Sequence, residues 1–273
     1  MKQHIVVNPM AVLREKPAFD SQVADEVVYG MRVTVETHLY TGWNLVHTEY
    51  GYPGYIRDED IMVERRMTGR CEYVRTAFAA VYTNPDIKAP IMMTLLQGSR
   101  VSVMMREGNG YTEVHLYDNR IGYIKTCALC SISHGSDAVW QAIEESEGIM
   151  RSRLVENAMA YLHTPYRYGG KTPMGIDCSG LCFMAYYMCG VMIWRDSQMK
   201  PDYPVHEIAR QSMDRGDLLY FDGHVAMYIG EDQFVHATDR MGIESVVVES
   251  LNPQDVNYRM DLAQQSYICG SVF

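Results

Sequence analysis

Residues 166–181 read Tyr-Arg-Tyr-Gly-Gly-Lys-Thr-Pro-Met-Gly-Ile-Asp-Cys-Ser-Gly-Leu. A glycine-rich loop here delivers one cysteine, Cys178, to the start of residues 179–189, which are apolar nearly all round and are followed by Gly190. An all-round apolar helix is a buried one, and a glycine just past its end suits the left-handed residue that closes a helix. Upstream, Ser136 is placed to cap a helix over 136–147, with Val139, Trp140 and Ile143 on one side and Gly148 at its end. A second helix over 149–162 sets Leu154, Val155, Ala158 and Leu162 at spacings of three and four, and Pro165 stops it. Downstream, 217–221, 225–229, 234–238, 245–249 and 267–272 read as strands, with turns at Asp222-Gly223 and Gly230-Glu231-Asp232. Helices first and strands afterwards indicate an α+β domain.

The first half is different, and it repeats itself. Gly30 and Gly98, Trp43 and Tyr111, Val46 and Val114, and Gly54-Tyr55-Ile56 and Gly122-Tyr123-Ile124 are each 68 positions apart. Each copy reads as short strands: an opening segment (11–14; 80–83), a glycine turn, an alternating run (31–35; 99–103), an aromatic strand and a Gly-Tyr-Ile strand. Many short strands with glycine turns in about 60 residues suggest a small barrel, because closure removes exposed strand edges. The expected organisation is therefore multidomain: two small all-β barrels over 1–66 and 67–133, then an α+β domain with an antiparallel sheet over 134–273.

Composition narrows the function. Of 273 residues, 47% are apolar and 21% charged, as in soluble globular proteins, so a packed core is expected rather than disorder. Thirty-four Asp and Glu against 24 Lys and Arg leave a net charge of −10, which argues against nucleic acid and anionic membranes as partners. No run approaches the ~18 apolar residues of a membrane helix, and residues 1–17 lack the apolar centre of a secretory signal, so a cytoplasmic location is expected. The seven cysteines are odd in number and widely spread, unlike a disulfide framework. Cys127-Ala-Leu-Cys130 has zinc-ligand spacing, but no second such pair follows, and Gly169-Gly170 lacks the Gly-x4-Gly-Lys-Ser/Thr pattern of a phosphate loop. Neither a metal nor a cofactor is expected.

Inside an apolar helix a cysteine is ordinarily a small hydrophobe, and Cys182 and Cys189 are read so. Cys178 stands apart because of its glycine-rich approach and its helix-start position. A free thiol with pKa ~8.5 is only a few per cent thiolate at neutral pH. The helix dipole offers ~0.3 to 1 kcal/mol, less than the ~1.36 kcal/mol of one pKa unit, so a nearby imidazolium is expected to hold the anion. His224 and His236 lie on consecutive strands that a hairpin over 230–232 would bring together, giving a Cys-His-His constellation.

The segments Gly-Ile-Asp-Cys-Ser-Gly-Leu (175–181), Gly-Asp-Leu-Leu-Tyr-Phe (216–221), Gly-His-Val-Ala-Met-Tyr-Ile-Gly (223–230) and Phe-Val-His-Ala (234–237) resemble, in their order, the NlpC family of papain-like cysteine peptidases that act on bacterial cell-wall peptides. The likeness runs from residue 149 onward, and the duplicated modules are similar to the bacterial SH3-like domains that accompany such catalytic domains. It implies a papain-like fold for 134–273, with Cys178 as nucleophile, His224 as general base and then acid, His236 orienting His224, and Tyr166 as a donor beside the oxyanion hole. The chemistry agrees: the N–H of Cys178 and the Tyr166 hydroxyl are donors of a kind worth roughly 10² to 10³ each in rate, and a third triad member fixes the tautomer of the base.

Members with paired SH3-like domains and no export signal resemble γ-D-glutamyl-L-diamino-acid endopeptidases, which recycle murein peptides bearing a free N-terminal L-Ala. A solvated ion pair contributes only ~0 to 1 kcal/mol, so reading that amine needs a partly enclosed carboxylate. The resemblance implies Asp196, in Trp194-Arg-Asp-Ser197, for this role, with Asp177 assisting, and Ser179 and Ser197 bonding the D-Glu α-carboxylate. From the first SH3-like domain it implies an aromatic and an acid: Tyr52, with Tyr50 as the alternative, and Glu26. A monomer is expected, and the third residue of the substrate, meso-diaminopimelate or Lys, stays open. Rival readings are another papain-like amidase or acyltransferase, a secreted wall-remodelling hydrolase, or a non-catalytic peptide-binding module.

Overall fold

The computed structural model describes residues 3–65, 67–106, 108–134 and 146–273. They fall into two compact units, Met1–Ile132 and Ser133–Phe273.

The first unit is all β. Strands β1 (Gln3–Val6), β2 (Met10–Arg14), β3 (Val23–Val28), β4 (Arg32–Leu39), β5 (Trp43–Thr48), β6 (Pro53–Arg57) and β7 (Ile61–Val63) form one antiparallel sheet, ordered β3-β2-β6-β5-β4-β1-β7. Strands β8 (Arg70–Val74), β9 (Phe78–Tyr82), β10 (Ile91–Leu96), β11 (Arg100–Arg106), β12 (Tyr111–His115), β13 (Ile121–Lys125) and β14 (Leu129–Cys130) form a second, ordered β10-β9-β13-β12-β11-β8-β14. Adding seven to each strand of the first order gives the second, so the 68-residue repeat is a repeat of topology. Its register is kept too: Trp43 faces Arg57 as Tyr111 faces Lys125, and Val46 faces Gly54 as Val114 faces Gly122.

The repeated glycines have a packing cause. A Cβ on Gly54 would meet Leu13 at 2.8 Å, and one on Gly122 would meet Val81 at 2.4 Å. Leu13 and Val81 are themselves 68 apart and fully buried, so any side chain at either glycine would displace the core beneath it.

The two sheets share a core. Tyr29, from the end of β3, is 2% exposed and belongs to the apolar cluster of the second sheet, with Val74, Leu95 and Leu116. Its hydroxyl accepts the Tyr117 N–H at 2.7 Å, its carbonyl accepts the Arg100 N–H at 2.8 Å, and the buried Arg100 side chain pairs with Glu49 of the first module.

In the second unit, α1 (Glu147–Met159), the hairpin β15 (Lys171–Thr172) and β16 (Gly175–Ile176), and α2 (Cys178–Tyr187) precede most of the sheet. Strands β17 (His206–Ile208), β18 (Leu218–Phe221), β19 (His224–Gly230), β20 (Gln233–Thr238), β21 (Ser245–Ser250) and β22 (Ile268–Ser271) form an antiparallel sheet ordered β17-β22-β18-β19-β20-β21, and α3 (Met260–Ala263) lies before β22. The α+β reading holds, although β17 and the β15–β16 hairpin were not read from the sequence. Helix α1 starts two residues before the expected 149 and ends three before 162. The helix read over 136–147 falls, up to residue 145, outside the described residues.

All ten residues of α2 are buried, as its all-round apolar sequence requires, and it packs on α1, β19 and β20. A buried staple joins the layers: Arg151 of α1 bonds Asp217 at 2.9 Å, and Asp217, fully buried ahead of β18, accepts the Ser271 hydroxyl of β22 at 2.6 Å. The Tyr186 hydroxyl of α2 donates to the Gly216 carbonyl at 2.6 Å. These bonds give the Gly216-Asp217 pair a structural task. Among the described residues, no helix is long and apolar enough to cross a membrane.

Because Tyr29 fills the neighbouring module's core, we expect Tyr29→Ala to cost about 3 kcal/mol or more, and Tyr29→Phe, which loses only the hydroxyl, about 1 kcal/mol. Urea unfolding followed by tyrosine fluorescence measures both.

Candidate active site

Cys178 is the first residue of α2 and is 7% exposed. The helix start is fixed by Asp177, whose Oδ1 accepts the Gly180 N–H at 2.6 Å as an N-cap. Its Oδ2 accepts the Gly169 N–H at 2.8 Å, so one carboxylate ties the glycine-rich loop to the helix. Gly180 is needed for this approach, since a Cβ there would meet the Gly170 carbonyl oxygen at 2.3 Å. Beneath lies Arg195, 1% exposed, reaching Asp177 at 3.0 and 3.2 Å, the Ser179 oxygen at 2.9 Å and the Gly170 carbonyl at 3.1 Å.

The backbone N–H groups of Val225 and Ser179 favour the thiolate form of Cys178. Val225 follows His224 on β19, one of the two strands on which α2 packs. The β19–β20 register pairs Met227 with Val235; continued, it puts His236 opposite Ala226 and diagonal to His224 on the same face. His224 Nε2 lies 2.7 Å from His236 Nδ1, with the rings 79° apart. His236 is fully buried and passes the row on, its Nε2 lying 2.8 Å from Glu249 Oε2 on β21. Glu249 in turn accepts Arg259 Nη1 at 2.6 Å and pairs with Arg240, and Arg259 binds Asp261 at 2.6 Å.

Electrostatics alter one expectation. Burial, reinforced by the Asp177 carboxylate, pushes the Cys178 thiol up to about 12. Burial, reinforced by the His236 ring, pushes His224 down to about 3, and burial also lowers His236. Burial thus works against both charged forms, opposing the thiolate beside an imidazolium expected from the sequence. The reason is dehydration: enclosing both groups costs each charged form more than the helix start and the two N–H groups return. Tyr166, in the loop before β15, is also raised, first by burial and then by Cys178 and Asp177, so its hydroxyl stays protonated and able to donate.

The remaining residues singled out from the sequence are placed as follows. Asp177 and Ser179 are buried and engaged with each other, with backbone N–H groups and with Arg195, so here they act as internal struts. Asp196 and Ser197 line a cavity of about 680 Å³ whose wall includes Tyr220, Phe221, Asp222 and Gly223, the residues leading into His224. Glu26 and Tyr52 belong to the first unit, where Glu26 is 3% exposed on β3 and Tyr52 is half-buried just before β6. Tyr50, the alternative aromatic, is buried and donates its hydroxyl to Asp25. Arg195 and Glu249 were missed. The signal for Glu249 was available: it is the one acid in Ser-Val-Val-Val-Glu-Ser, and the hairpin register sets it opposite Phe234, diagonal to His236. Among the described residues, no group of three or more His, Cys, Asp or Glu is arranged to hold a metal.

Two outcomes follow from this geometry. Alkylation of Cys178 by iodoacetamide should climb about tenfold per pH unit between pH 6 and 9, because the thiolate fraction is still rising there; a rate already level above pH 5 would mean an ion pair instead. Arg195→Ala, which strands the buried Asp177 carboxylate, should lower stability by about 3 to 5 kcal/mol in chemical denaturation.

Residues 163–263 match the NlpC/P60 family. Dipeptidyl-peptidase 6 of Lysinibacillus sphaericus is 37% identical over 277 residues, covering 98% of this chain and 99% of that protein. Gamma-D-glutamyl-L-lysine dipeptidyl-peptidase of Bacillus cereus is 23% identical over 201 residues, 69% of this chain and 57% of that one. The crystal structure of an NlpC/P60 family protein from Bacillus cereus superposes with a TM-score of 0.76, covering 97% of this chain and 98% of its own, at 18% identity, a likeness of fold. The chain belongs to the NlpC/P60 family and, like the relatives named, is a peptidase.

Proposed function

We propose that this protein is a cysteine endopeptidase that cuts the bond between γ-D-Glu and the diamino acid of murein peptides with a free N-terminal L-Ala, in the recycling of cell-wall peptides in the cytoplasm. The observation that supports the reading is the hydrogen-bonded pair His224 and His236 on two strands packed against α2, whose first residue is Cys178, with Tyr166 near enough to feel the charge of its sulfur.

The reaction starts from thiol and imidazole. With Nε2 of His224 taken by His236, Nδ1 is the nitrogen left for the thiol proton. Transfer of that proton accompanies attack by sulfur on the γ-D-Glu carbonyl, so the charge forms only as the C–S bond does. The Cys178 N–H and the Tyr166 hydroxyl are the donors for the developing oxyanion. The His224 imidazolium then protonates the departing α-amine of the diamino acid, the C–N bond breaks, and a thioester remains. Water, deprotonated by His224, hydrolyses the thioester and frees the D-Glu γ-carboxylate.

Substrate reading is assigned to the cavity beside His224. Asp196 is half-buried there, which suits it to the substrate ammonium, and Ser197 suits the D-Glu α-carboxylate. Asp177 and Ser179 contribute through the helix start rather than as free ligands. The two repeated sheets are taken as SH3-like domains over 1–66 and 67–133, ahead of a papain-like domain over 134–273. The name of the Bacillus cereus relative supports the γ-D-glutamyl bond, and the near full-length likeness to dipeptidyl-peptidase 6 supports removal of a dipeptide.

The test is product analysis by mass spectrometry on L-Ala-γ-D-Glu-Lys and its diaminopimelate counterpart, each with a free and an acetylated amine. The expected products are L-Ala-γ-D-Glu and the free diamino acid from the unblocked peptides, with acetylation slowing cleavage at least about tenfold, as befits a charge-assisted contact, and Cys178→Ala abolishing it. Equal cleavage of blocked and free peptides would remove the amine-reading role of Asp196. Parental rates from Cys178→Ala would end the cysteine mechanism.

A further inference from the structure

We infer that Glu249 is the positioning residue that fixes the tautomers of both histidines, so that His224 presents an unprotonated Nδ1 to the Cys178 thiol. The inference rests on the Cys178–His224 reading of the site and adds to it a fourth residue two hydrogen bonds away from the base.

The argument is one of counting protons. A carboxylate accepts hydrogen bonds and cannot donate them. Glu249 is kept in that form: burial alone would raise it, but the bonds from His236 and Arg259 outweigh burial and hold it below its ordinary range. His236 Nε2, 2.8 Å from Glu249 Oε2, must therefore carry the hydrogen. His236 is neutral and has one N–H, so its Nδ1 is an acceptor. His224 Nε2, 2.7 Å from that Nδ1, must then donate. Being neutral as well, His224 keeps its lone pair on Nδ1. One ionised oxygen on β21 thus sets which nitrogen of a ring on β19 is basic.

The surroundings make Glu249 dependable in this role. It is 5% exposed and meets donors from three sides: Arg240 in the turn after β20, Arg259 ahead of α3, and His236 on β20. Arg259 is shared with Asp261 of α3, so the far end of the row is close to charge balance. His236 is wedged against the edge of Phe234 at 5.0 Å between ring centroids, which keeps its plane fixed. Arginine donates only, so neither guanidinium can replace the carboxylate as an acceptor for His236.

Glu249→Gln keeps the shape but supplies an amide that can turn its NH2 toward His236. In that arrangement the row reverses: His236 protonates on Nδ1, His224 accepts at Nε2 and carries its hydrogen on Nδ1, and the thiol proton has nowhere to go. Nitrogen NMR of 15N-histidine-labelled protein reads the tautomer directly and needs no substrate. In the parent, between pH 6 and 8, both rings should be protonated on Nε2. In Glu249→Gln, the His224 signal should show Nδ1 protonation, and kcat on the murein tripeptide should fall by about 10² or more with little change in KM, since loss of the correct tautomer in a triad costs up to about 10⁴. A Glu249→Gln protein with parental tautomers and parental kcat would overturn the inference. So would a parent whose His224 or His236 is protonated on Nδ1, a result that stands even if the variant does not fold. If the tautomers are as expected but the tripeptide is not cut, the proposed substrate fails and the role of Glu249 remains.

Discussion

The second unit depends on what happens to one carboxylate. Asp177 is buried, and its two oxygens are saturated by two backbone N–H groups, a serine hydroxyl and a guanidinium that is itself enclosed. A lone buried charge would cost several kcal/mol, so this arrangement exists only with every partner in place. The partners are the glycine-rich loop, the first turn of α2 and the segment carrying Arg195, and meeting the demands of Asp177 fixes all three relative to one another. Cys178 is the next residue, and its position is a by-product of that fixation. The Gly170–Gly180 approach has the same cause, since a side chain at residue 180 would force the loop away from the carboxylate that holds it.

From the other side the site is held by β-sheet geometry. Strands β19, β20 and β21 are consecutive and antiparallel, so residues on one face form diagonal rows. His224, His236 and Glu249 occupy such a row, and each hydrogen bond in it crosses from one strand to the next. Neither ring needs a loop to place it. Cys178 sits on a helix pinned by a buried ion pair and His224 on a strand pinned by its neighbours, so both residues proposed to react sit on rigid elements.

Much of this could be read in the residues beforehand, for physical reasons that can be named. Cys178 was legible because glycines crowd ahead of it and an apolar run follows it. The histidines were legible because alternation and two glycine turns define a hairpin whichever partners surround it. The module repeat was legible because Gly54 and Gly122 answer to the same buried position in β2 and β9. What escaped were long-range partners. Arg195 reads as a surface arginine until the helix start is folded over it, and Glu249 reads as the polar end of a strand until register is known. The protonation balance was half-hidden for a related reason: the helix dipole can be weighed from sequence, but the burial that opposes it cannot. Asp177 and Ser179 look like ligands in a motif, and only the folded chain shows that they also tie the helix start together. The short strands β1, β7, β8 and β14 left too little pattern to be seen.

The insertion of Tyr29 into the core of the neighbouring sheet bears on how such a chain can be rearranged. Duplication usually yields beads that can be lost or swapped one at a time. Here, excising either copy would bare an apolar socket or leave an aromatic plug without one, so the heritable building block is the couple rather than the single copy.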